Sequence, residues 1–143
     1  MSHYVTRERV HVDRIATAWA IRRFVDPDAT FGFVARERDP QRVEGTPFDM
    51  RGSALSHRSG KVTFEVLLAS HQLTDPALMR MAAIVHAADT WEDDTPETAG
   101  VRAIFDGIRD GLPSDEERLA IGFNVCEALY AYCAGRRSEG GAR

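Results

Sequence analysis

The sequence is short of the features that usually announce a chemistry. It has two cysteines in 143 residues, Cys126 and Cys133. Seven positions apart in a helical pattern, they lie about 10 Å from each other along the axis, too far for a mutual disulfide. They read instead as two buried thiols, sharing a face with Phe123 and Tyr130. There is no HExxH, no CxxC, no glycine-rich phosphate loop and no GxSxG, so the common zinc-protease, redox, nucleotide and serine-hydrolase signatures are missing. No apolar run approaches the roughly 20 residues that cross a bilayer. The first residues, MSHYVTRERVHVDR, have no apolar core of the secretory kind. The expected compartment is therefore the cytoplasm. Positive charge is not in excess: the formal net charge is −4. This argues against general nucleic-acid affinity for this chain alone.

What is there is an ordinary soluble composition, 43% hydrophobic and 28% charged, in a length that suits one domain with a real core. The stretch that organises it is 11–27, HVDRIATAWAIRRFVDP. It reads as one helix with Asp13 as N-cap and Asp26-Pro27 as the stop. Ile15, Ala16, Ala18, Trp19, Ala20, Ile21, Phe24 and Val25 cover most of its circumference, and a helix apolar nearly all round is normally buried. Arg14 then falls between Ile21 and Val25 on the helical wheel, and Arg22 between Ile15 and Ala18. Two guanidiniums aimed inward need a carboxylate, an anion or a ring of acceptors, because an unpaired buried charge is too costly.

Around that helix the pattern predicts an α+β fold, predominantly α, with about five helices and a small sheet of two or three short strands. A strand or arm over 1–8 and a strand over 30–34 are followed by short candidate strands at 47–50 and 54–57, closed by Ser59-Gly60. Thr63 is a plausible N-cap for a helix over 64–70, and Asp75-Pro76 is a strong start for one reaching about Thr90. Helices over 98–111 and after Ser114-x-x-Glu117 complete the set. A single domain spans 1–135, and the Gly- and Arg-rich residues 136–143 are expected to be a frayed tail.

The candidate site residues come from charges in apolar company. Asp89 projects within the core face made by Leu78, Met81, Ala82, Val85 and Ala88. It is a buried partner of Arg14 or Arg22, a metal ligand or general base in a pocket, or, if the helix ends early, a solvated terminal residue. His57 ends a candidate strand before a turn, where sites concentrate. It is a site residue or a histidine capping a loop through a backbone hydrogen bond. His86 reads as a partly exposed surface histidine. A metal set could be assembled from His57, Glu65 and Asp89. Such mixed nitrogen and oxygen ligands suit iron, zinc or manganese.

In order along the chain, Asp13-Arg14-Ile15-Ala16, Trp19, Ile21-Arg22-Arg23-Phe24 and Asp26-Pro27-Asp28-Ala29 are followed by Phe31-x-Phe33-Val34, Pro47-Phe48-Asp49, Ser56-His57 and Thr63-Phe64. Next come Asp75-Pro76-Ala77-Leu78, Ala83-Ile84-Val85, Ala88-Asp89-Thr90 and, in the last helix, Ala128 to Cys133. Each motif is weak alone; the colinear series resembles the chromate-resistance domain at the C-terminus of ChrB-type proteins. The resemblance implies a link to bacterial chromate resistance. Longer members of that family are chromate-responsive regulators with a separate N-terminal portion, so this chain looks like the ligand-sensing domain standing alone. It departs from the family pattern at Thr17 and Val62, where cysteines are common, at Glu65 in place of an aspartate, and at Glu116 and Ile121 in place of histidines. Thiol-based reduction of chromate is therefore not expected from this copy. Asp13, Arg14, Arg22, Arg23, His57 and Asp89 remain.

Three functions are consistent with these residues. The first is a domain that binds or senses a small anionic ligand through Asp13, Arg14, Arg22, His57 and Asp89. The second is a metal-dependent enzyme using His57, Glu65 and Asp89. The third is a structural module in which the last helix, over 123–132, offers a homodimer face.

Overall fold

The computed structural model describes residues 2–135; the tail expected at 136–143 lies outside the described residues. The order of elements is β1 (His3–Arg7), α1 (Val12–Ala20), β2 (Thr30–Val34), β3 (Thr46–Pro47), α2 (Thr63–Ser70), α3 (Pro76–Thr90), α4 (Thr98–Gly111) and α5 (Asp115–Cys133). This is the expected α+β fold, mostly helical with one small sheet. The sheet is parallel, with β1 central in the order β2-β1-β3. The candidate strand at 54–57 does not form: only Leu55 bridges, to Phe48.

Helix α1 is the centre of the core. Val12, Ile15, Ala16, Ala18, Trp19 and Ala20 are all buried, as an all-round apolar helix must be. It packs against α5, α2 and α3. Past Ala20 the helix widens into a π turn over Ile21–Val25 and stops at Asp26, whose N–H donates to the Ile21 carbonyl at 2.8 Å. The wider turn changes where the later side chains point. Arg22 is exposed, not inward: its Nε and Nη2 donate to the Ala29 carbonyl at 3.2 and 2.8 Å, and its guanidinium lies 5.2 Å from the ring centres of Phe31 and Phe123. Trp19, Phe24 and Tyr130 form an aromatic cluster with ring centres 5.5–5.7 Å apart.

Several expected caps are present. Asp75 accepts from Ala77 N–H at 2.9 Å, and Ser114 accepts from Glu117 N–H at 3.2 Å. Two differ. The N-cap of α1 is His11, so Asp13 lies inside the first turn. The N-cap of α2 is Val62, and Glu65 reaches back to accept from its N–H at 3.0 Å. Cys126 and Cys133 are free and buried on α5, and burial pushes both thiols above the usual range.

Gly122 shows how closely α5 lies on α1. A Cβ added there would overlap the Cγ2 methyl of Ile15 and come within 3.2 Å of its Cδ1. Ile15 is fully buried and β-branched, so it has few rotamers to escape into. In an exposed helix, alanine would stabilise this position by about 1 kcal/mol over glycine. Here Gly122→Ala should instead destabilise by about 1–3 kcal/mol, measured by urea unfolding. A gain in stability would show that the α1–α5 contact is looser than described.

Candidate functional site

The site begins with a turn. Arg58 and Lys61 exchange backbone hydrogen bonds at 3.0 and 2.9 Å across Ser59 and Gly60, both at positive φ (54° and 79°). This is the two-residue hairpin geometry that glycine favours. It folds the chain back so that His57, just before the turn, stands beside the N-terminus of α2, just after it.

The N-terminus of α2 is occupied by a side chain from α1. Asp13 is 2% exposed and accepts from Thr63 N–H (3.0 Å) at Oδ2 and from Phe64 N–H (2.9 Å) at Oδ1. It thus performs for α2 the capping that Val62 has no side chain to perform, and its negative charge suits the positive end of that helix. The same Oδ2 lies 3.1 Å from His57 Nε2.

Two more carboxylates converge on that imidazole nitrogen. Asp49 Oδ1 is 3.6 Å and Asp89 Oδ2 is 3.5 Å from His57 Nε2. Asp49 follows β3 in a left-handed conformation (φ 49°) that aspartate tolerates better than most residues, and it accepts from Thr63 Oγ1 at 3.0 Å. Asp89 comes from the last turn of α3. Arg14 is the inward guanidinium of α1 that the sequence predicts, but its partner is Asp49: Nε lies 3.3 Å from Oδ2 and Nη2 donates to the Asp49 carbonyl at 3.3 Å. The Nε–Oδ2 approach is too oblique for a hydrogen bond, so this buried N–H has no acceptor among the described residues.

These groups line a cleft of about 480 Å³ together with Arg7, His11, Met50, Arg51, Gly52 and Ser56. Of the expected site residues, Asp13, Arg14, His57 and Asp89 are therefore together, and Arg22 is elsewhere. The metal set His57, Glu65 and Asp89 is not assembled. Glu65 is committed to Val62 N–H and to His86 Nδ1 at 2.6 Å. His86 is partly exposed, as expected, with 13% of its side chain accessible. The proposed partnership of Asp89 with Arg14 or Arg22 is likewise replaced by its pairing with His57. Asp49 and Arg7 were missed. Asp49 alternates with the buried Phe48 and Met50, which in a strand would have sent it outward.

With those positions fixed, comparison with known proteins is informative. The model of the ChrB C-terminal domain family matches residues 4–133. The chain belongs to that family. A curated relative, Protein ChrB of Cupriavidus metallidurans, is 38% identical over 139 residues, covering 95% of this chain and 42% of that protein. The chain thus spans less than half the length of that relative. No solved structure gives a significant match.

The electrostatics of this ChrB-family cleft follow from three carboxylates sharing one imidazole. The hydrogen bond to Asp13, reinforced by the charges of Asp13, Asp49 and Asp89, raises the His57 pKa to about 9. Burial, then the neighbouring Asp13 charge, raises Asp49 to about 7 and Asp89 to about 6, against the opposing pull of Arg14 and His57. All three groups hold protons more tightly folded than unfolded. Their contributions to stability are complete at low pH and are lost as pH rises through about 6, 7 and 9 in turn. In chelator-containing buffer, the melting temperature should fall steadily from pH 5 to pH 9.5. Asp49→Asn should flatten the part below about pH 7. A melting temperature that is constant or rises over this range would contradict the arrangement.

Proposed function

We propose that this ChrB-family domain binds a small oxyanion of the chromate class in the cleft, as the ligand-responsive part of a chromate-resistance system. The observation that carries this reading is a pair of under-satisfied guanidiniums. Arg7 from β1 and Arg14 from α1 both line the cleft, and each has a buried Nε–H without an acceptor among the described residues. A buried donor left unpaired costs about 1–3 kcal/mol, a cost that a ligand offering several oxygens could relieve. Guanidiniums suit such a ligand because their fork of donors matches its oxygens. Arg51 adds a third positive charge in the lining.

The reading is one of binding, not of thiol chemistry. Neither Cys126 nor Cys133 lines the cleft, and burial holds both as protonated thiols, the poorly nucleophilic form. The substrate class comes from the resemblance to chromate-resistance domains, and the cleft supplies a chemistry compatible with it.

Thermal shift and calorimetry with chromate, sulfate and phosphate test the proposal. Chromate should raise the melting temperature. Arg14→Ala should weaken binding by about 10–100-fold, the loss of one charge-assisted contact of roughly 1.5–3 kcal/mol. If none of the three anions binds, the proposal is wrong.

A further inference from the structure

We propose that Asp13, Asp49 and His57 form a binding site for one divalent transition-metal ion on the floor of the cleft, with Asp89 beside it on the other side of the imidazole nitrogen. The argument rests on how four side chains from four separate segments are aimed. His57 Nε2 faces Asp13 Oδ2, Asp49 Oδ1 and Asp89 Oδ2 at 3.1, 3.6 and 3.5 Å. Ligand atoms of Asp13, Asp49 and His57 all lie within 4.8 Å of one another. An ion bound at about 2.1 Å to nitrogen and carboxylate oxygen places adjacent ligand atoms about 3.0–3.4 Å apart, for angles between octahedral and tetrahedral. The distances from His57 Nε2 to the Asp13 and Asp49 oxygens are already close to that.

The supporting contacts are of the kind that orient metal ligands. Both Asp13 oxygens are fixed by backbone donors, Thr63 N–H and Phe64 N–H, and Asp49 Oδ1 is held by the Thr63 hydroxyl. These bonds leave lone pairs free on each carboxylate. The His57 imidazolium and the Arg14 guanidinium paired with Asp49 still leave three converging carboxylates one positive charge short. The charge the cluster lacks is positive, and a divalent cation displacing the His57 proton supplies it. His57 is half exposed, so an ion has a route in and a coordination position open toward the cleft. One imidazole with two carboxylates is a donor set for manganese, iron or zinc rather than for a soft metal.

This inference goes beyond the oxyanion reading, and the two fail separately. An ion here would also remove the main obstacle to an anion approaching Arg7 and Arg14, which is the negative charge beside them.

The test uses the purified chain stripped with chelator and titrated with Co²⁺, Mn²⁺ and Zn²⁺ in a chloride buffer free of other anions. The cobalt absorption bands and calorimetry are followed. One equivalent should bind in the micromolar range or tighter. His57→Ala and Asp49→Asn should each weaken binding by about 100-fold or more, since even outer-shell changes cost 10–100-fold. Glu65→Gln should retain it. Circular dichroism on each variant separates lost binding from lost folding. Asp13 is left intact because it also caps α2. Absence of stoichiometric binding, or equal affinity in wild type and folded His57→Ala, overturns the site.

Discussion

The structure depends on one carboxylate. Asp13 is carried by α1 yet caps α2, so the first helix of the core and the first helix after the sheet are joined by two charge-assisted hydrogen bonds inside the protein. Buried charges persist only where donors surround them, and here the donors are free N–H groups of a helix end, which need an acceptor in any case. One interaction satisfies both requirements. It also fixes the position of everything nearby: His57 bonds to the same carboxylate, and Thr63, whose N–H holds Asp13, uses its hydroxyl to hold Asp49.

From that anchor the cleft acquires two sides of opposite sign. Carboxylates from α1, α3 and the segment after β3 converge on His57, while guanidiniums from β1 and α1 line the same cavity. Among the described residues, only the Arg14–Asp49 pair joins the two sides. Such a division keeps opposite charges close without letting them cancel fully.

The architecture was largely legible in the sequence because its signals are local. Asp75-Pro76 and Ser114 start helices where their side chains can cap, and the apolar circumference of α1 requires burial. Half of the site was legible for a similar reason: Arg14 and Asp89 are charges on otherwise apolar helix faces. What was not legible depends on partners far along the chain. Nothing local says that Asp13 serves a helix 50 residues away. Nor does any local signal show that the π turn rotates Arg22 outward, or that Glu65 is taken by His86 21 residues later. Asp49 was hidden by its alternation with Phe48 and Met50, since the left-handed backbone that redirects it leaves no pattern in composition.

The burial of α1 against α5 also bears on how the chain is made. Trp19 on the first helix bonds to Glu127 on the last, 108 residues away. At about 5–20 residues per second, roughly ten seconds of synthesis separate the two. For that interval α1 lacks the last of the three helices that cover it, α5. Until translation supplies that layer, the face of α1 that carries Ile15 and Trp19 stays uncovered on the growing chain.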